Sequence, residues 1–178
     1  ISKSQDSIAN YNKTGLSILE IGHRSNEFGL LINSLEQNLK EIFSIPDNYF
    51  VLLMQGGATY QNTFIANNFD KLSSLIGCLV TGTWGKYTSY DFSKIRDTKI
   101  IKVNQDKIQN YIEKPWDLND IDYLHLTSNE TINGVQIREF NKIQHDSLLI
   151  DMSSDIGSYS FEWDNLAYIY AGAQKNMG

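Results

Sequence analysis

Residues 148–178 read LLIDMSSDIGSYSFEWDNLAYIYAGAQKNMG, and this stretch decides the fold. Leu148–Ile150 and Leu166–Tyr170 are apolar runs too short for helices and rich in strand-forming residues. Asp151 follows the first run directly. Gln174 and Lys175 lie just past the second, beside the small residues Ala171, Gly172 and Ala173. Ligands of α/β sheets bind outside the carboxyl ends of the strands, so Asp151 and Lys175 are expected to face one crevice.

Outward from that stretch the chain alternates between the two periodicities. Residues 2–13 predict a short helix. Ser25 or Asn26 caps a second, whose stripe of Phe28, Leu31, Ile32, Leu35, Leu39 and Ile42 is expected to be buried. Ile45-Pro46-Asp47-Asn48 turns the chain. Tyr49–Met54 predicts a strand, Gln55-Gly56-Gly57-Ala58-Thr59 a loop and Tyr60–Phe69 a helix. Further strands are expected over Leu75–Thr81, Lys99–Val103 and Asp122–Leu126, with Gly82–Gly85 as loop and a short helix over 87–95. Residues 104–120 predict a loop with a helical turn around Ile108–Ile112, and Asn133-Gly134 a tight turn. This alternation predicts an α/β sheet with mostly parallel strands and helices on both faces.

With 178 residues, 41% hydrophobic and 20% charged, the chain is expected to be one soluble globular domain. The net charge of −6 and the lack of a basic cluster argue against nucleic acid or an anionic membrane as partner. No apolar run approaches the span of a bilayer, and the single Cys78 excludes a disulfide framework and fits a reducing cytoplasm. The start at Ile1 and the stop just past Lys175 predict a piece of a longer protein.

A strand-end carboxylate with a lysine beyond the next strand suits pyridoxal phosphate (PLP) chemistry. The lysine bonds to the cofactor aldehyde and the carboxylate keeps the pyridine nitrogen protonated. A strand-end cap and a solvated lysine are the commoner roles of such residues. The glycine pair before a helix lets N–H groups close round a phosphate, as it suits any tight turn, and it is neither GxGxxG nor a Walker loop. Trp84 can stack on a flat ring or pack at a loop base. Thr131 can bond a ring substituent or cap a turn, and Gln174 is a phosphate-side donor or a polar strand-end residue. Arg24, beside His23, can take a carboxylate bidentately or form a surface ion pair. His125 and His145 have no second ligand at metal spacing, so no metal site is expected, and no GxSxG elbow appears.

Six segments carry a closer resemblance: ILEIGHRSNEF, FVLLMQGGATYQ, VTGTWGK, SNETINGVQI, DMSSDI and YAGAQKN. In this order, over nearly the whole chain, they resemble the phosphoserine aminotransferases, a family of fold-type I PLP enzymes. The resemblance implies an incomplete fold-type I large domain covering residues 1–178, a mostly parallel sheet flanked by helices. It also implies transamination between glutamate and 3-phosphohydroxypyruvate, giving phosphoserine and 2-oxoglutarate, by a cytoplasmic homodimer. Lys175 would carry the cofactor and act as catalytic base. Ala58 and Thr59 would hold its phosphate, Trp84 cover the ring, Thr131 and Asp151 position it, and Gln174 complete the site. His23 and Arg24 would bind substrate. Thr59 stands where some members have arginine. The family's N-terminal Ser-Ala-Gly-Pro loop, its smaller C-terminal domain and an Asn-Thr pair lent by the neighbouring subunit have no counterpart here. Another fold-type I enzyme, of cysteine desulfurase or alanine–glyoxylate type, and an inactive PLP-binding remnant are the alternatives.

Overall fold

The computed structural model describes residues 2–69, 74–103 and 118–177, which divide into two units, Ile1–Leu52 and Leu53–Gly178. In the first, α1 (Ser2–Asn10) leads through a 3-10 turn to α2 (Asn26–Ile42). Ser25 Oγ accepts from the Phe28 amide at 3.2 Å and so starts α2 at the expected place. The apolar stripe makes the helix but is not covered as expected: no residue of α2 is fully buried, and Leu35 and Ile42 are exposed. A unit this small has too little chain to cover both flanks of a helix. Tyr49–Met54 is not a strand among the described residues, and Phe50 is 89% exposed. A strand needs a neighbour for its N–H and C=O groups, and no described strand pairs with it.

The second unit is built on a sheet of β1 (Ile76–Val80), β2 (Thr98–Lys102), β3 (Tyr123–Thr127), β6 (Leu148–Asp151) and β7 (Leu166–Tyr170). Their order is β2-β1-β3-β6-β7 and every pairing is parallel. The apolar runs are continuous because such strands are covered on both faces. Cys78, His125, Leu149 and Tyr168 lie side by side across four strands. Cys78, Leu149 and Tyr168 pack with Ile65 and Ala66 of α3 (Gly57–Asn68) and Phe92 of α4 (Thr83–Ser93). On the other face Leu79, Leu126 and Ile150 pack with Phe140, Ile143, Phe161 and Trp163. Among the described residues α3 and α4 therefore cover one face, and a short 3-10 turn (Phe140–Lys142) with irregular chain covers the other. A two-stranded hairpin, β4 (Asn129–Glu130) with β5 (Val135–Gln136), follows β3, and its tip holds the expected turn with Gly134 at φ 71°. The helical turn expected near Ile108–Ile112 lies outside the described residues.

Candidate active site

The carboxyl ends of β1, β3, β6 and β7, neighbours in the sheet, present most of the expected site residues. After β1 the chain passes through Gly82 into α4, whose first turn carries Trp84. Sequence reading placed Trp84 in a loop. The helix begins earlier because side chains of the β4–β5 hairpin satisfy its first three amides, which no helical carbonyl can reach. Asn133 Oδ1 accepts from Thr83 N at 2.8 Å, and Glu130 accepts from Trp84 N (Oε2, 2.7 Å) and Gly85 N (Oε1, 2.8 Å). A Cβ on Gly82 would stand 2.6 Å from the Glu130 carboxyl carbon, so only glycine fits there. Burial pushes the Glu130 carboxyl up, against the pull of the Gly85 and Trp84 amides. Thr131 Oγ1 accepts from the Trp84 indole Nε1 at 2.9 Å, so two expected ring contacts meet directly. Trp84 remains 42% exposed, with indole surface available to a ligand.

Asp151 is the last residue of β6, between Thr127 of β3 and Tyr170 of β7. Its Oδ1 accepts from Ser153 N at 2.9 Å. Burial raises the Asp151 carboxyl above its ordinary value, the Ser153 bonds pull it back, and the Asp155 charge raises it further. Such a carboxylate favours a cationic partner. The loop after it is fixed by Asp155, which is buried and accepts from Ser128 Oγ, Gln136 Nε2 (3.1 Å) and the Tyr159 hydroxyl (3.3 Å).

Past β7, Gly172 N donates to Ser153 Oγ at 3.2 Å and Asn176 Nδ2 to Ile156 O at 2.8 Å. Gln174 and Lys175, between those two anchors, are exposed. Lys175 takes the left-handed conformation, φ 56°, which costs a residue with a Cβ roughly 1–2 kcal/mol. Strain of this kind gathers at functional sites.

Ala58 and Thr59 lie in the first turn of α3. Gly56 and Gly57 take positive φ of 97° and 63°, and no side chain caps this helix. Its N-terminus thus differs from that of α4, which Glu130 and Asn133 occupy, and it is the one suited to an anion. A buried polar chain ties α3 to the sheet. His125 Nε2 meets the Tyr170 hydroxyl at 3.0 Å, that hydroxyl donates to Asn62 Oδ1 at 3.4 Å, and Asn62 Nδ2 donates to Asp91 Oδ2 at 3.0 Å. Burial lowers His125 to about 3, so it is neutral.

His23 and Arg24 lie in the other unit, in an exposed turn before Ser25. The sequence assigns no role to Glu130, Asp155 or Tyr170 and offers His125 only as a metal ligand. Each works through a partner far along the chain, for which no local pattern exists.

Asp151 ends β6, Lys175 follows β7, and the N-terminus of α3 has no side-chain cap. The aminotransferase class-V family model matches residues 1–178, and the chain belongs to that family. It is 36% identical over 181 residues to the phosphoserine aminotransferase of Bacillus cereus, which covers 100% of this chain and 50% of that one. With its counterpart from Geobacillus kaustophilus the identity is 37% over 183 residues, again 100% of this chain and 50% of the relative. The structure of phosphoserine aminotransferase from Bacillus circulans subsp. alkalophilus superposes with a TM-score of 0.86 at 35% identity, covering 99% of this chain and 50% of that one. The chain spans about half the length of the curated relatives it matches.

Proposed function

We propose that this chain is the cofactor-binding large domain of a phosphoserine aminotransferase, which exchanges an amino group between glutamate and 3-phosphohydroxypyruvate as a cytoplasmic homodimer. The observation that carries the reading is the Trp84–Thr131 contact, made past the carboxyl ends of β1 and β3, with Asp151 ending β6 and Lys175 following β7. These residues fit PLP by the chemistry of their groups. Asp151 is a partly buried carboxylate suited to a protonated ring nitrogen, and Trp84 offers a flat aromatic surface. The first turn of α3, with Ala58, Thr59 and a helix dipole uncompensated by any capping side chain, suits a phosphate dianion. Gln174 stands beside Lys175 as a further polar contact. When bound, PLP supplies an aldehyde for an amine and a ring that withdraws electrons. Lys175 Nζ holds the cofactor and, when free, moves the proton at the substrate α-carbon. Asp151 holds the proton on the ring nitrogen. His23 and Arg24 bind the substrate carboxylate.

In the full-length enzyme, Arg24→Ala is expected to raise KM for glutamate and phosphoserine more than about tenfold, since a bidentate guanidinium–carboxylate contact contributes roughly 1.5–3 kcal/mol. PLP absorbance should change little. Steady-state assays against phosphoserine, serine, alanine and cysteine test the whole reading. Preferential turnover of alanine or cysteine would overturn the substrate while leaving the cofactor site.

A further inference from the structure

Glu130 and Thr131, neighbours in the chain, take hold of one tryptophan from two ends. Glu130 accepts the backbone N–H of Trp84 at 2.7 Å and Thr131 its indole N–H at 2.9 Å. We propose that Glu130 is a positioning residue that sets the plane of the Trp84 indole against the PLP ring, with Asn133 as its helper. This inference rests on the PLP reading above.

A helix ordinarily takes its cap from a Ser, Thr, Asp or Asn at its own N-terminus. Here that position is Gly82, and the caps come from a hairpin distant in sequence. A local cap would stabilise α4 without fixing it to anything else. A cap from the hairpin fixes the rotation and height of α4 relative to Thr131. The space for it is made by two glycines: a Cβ on Gly82 would lie 2.6 Å from the Glu130 carboxyl carbon, and one on Gly85 3.1 Å from its Oε1. Glu130 is fully buried, so its carboxylate depends on the two short amide bonds, one to each oxygen. The hairpin itself starts from the other side of the site. Ser128 donates its amide to the Asp151 carbonyl at 3.0 Å, and Glu130 follows two residues later. The stacking residue and the residue proposed for the ring nitrogen are thereby referred to a single short segment.

The test is a double-mutant cycle on PLP affinity, measured by titrating full-length apoenzyme with PLP and following absorbance and visible circular dichroism. Glu130→Gln turns an amide group toward a backbone donor and is expected to weaken PLP binding by about tenfold and shrink the dichroic band. In a Trp84→Ala background the same change should alter affinity by less than about twofold, because its effect travels through the indole. Equal losses in both backgrounds, or unchanged affinity in Glu130→Gln, would overturn the proposal. Should far-UV dichroism show Glu130→Gln unfolded, exposed Asn133→Ala decides by the same criterion, with an expected loss of about threefold that disappears without the indole. A parent apoenzyme that binds no PLP overturns the functional reading itself, whereas additive variants overturn only the clamp.

Discussion

Replacing Lys175 by alanine in the full-length enzyme is expected to abolish transamination and remove the near-visible absorbance of bound PLP. Proton transfer by a positioned group contributes on the order of 10²–10⁴-fold, and this variant also loses the covalent attachment, so the deficit should exceed that range. The geometry concentrates this expectation on one lysine. Lys175 follows the end of β7, between the Gly172–Ser153 and Asn176–Ile156 hydrogen bonds, in a left-handed conformation that those anchors maintain. Borohydride reduction followed by peptide mapping should find the cofactor on Lys175. Label on Lys86 or Lys142 would defeat the assignment.

The elements legible in the sequence were those whose pattern is local. Leu148–Asp151 and Leu166–Tyr170 are continuous apolar runs, and both are strands of the parallel sheet. Ser25 announced α2 by its own side chain. What was misread depended on distant partners. Tyr49–Met54 has a strand's composition, yet no described strand pairs with it. The loop expected over Gly82–Gly85 is the first turn of α4, because its caps, Glu130 and Asn133, come from a hairpin far along the chain. The site followed the same division. Asp151, Lys175 and Trp84, candidates from their positions at strand ends, stand at or past the ends of β6, β7 and β1, and the Trp84–Thr131 bond joins two residues that sequence could only name separately. The supports, Asp155 within the DMSSDI loop and Tyr170 between His125 and Asn62, have no spacing that marks them.

Asp151→Asn should separate stability from turnover. The carboxyl of Asp151 is raised above its unfolded value by burial, so the native state binds that proton more tightly than the unfolded chain does. Its contribution to stability is therefore fully present below the unfolded value and is lost as pH rises through the folded one. Wherever Asp151 is ionised the apoenzyme holds a partly desolvated negative charge, and asparagine removes it at nearly the same size. Apo Asp151→Asn is expected to unfold at a higher temperature than the parent at neutral pH, with the gap closing as pH falls, measured by scanning calorimetry. Turnover should move the other way, because a neutral amide cannot keep the ring nitrogen protonated, and the loss should be on the order of 10²-fold or more, as for other groups aimed at developing charge. PLP carrying a methyl group on the ring nitrogen has a permanent positive charge and needs no such partner. It should restore part of the lost turnover in Asp151→Asn. Near-parental turnover with ordinary PLP, or no recovery with the methylated cofactor, would show that Asp151 does not act through the charge of the ring.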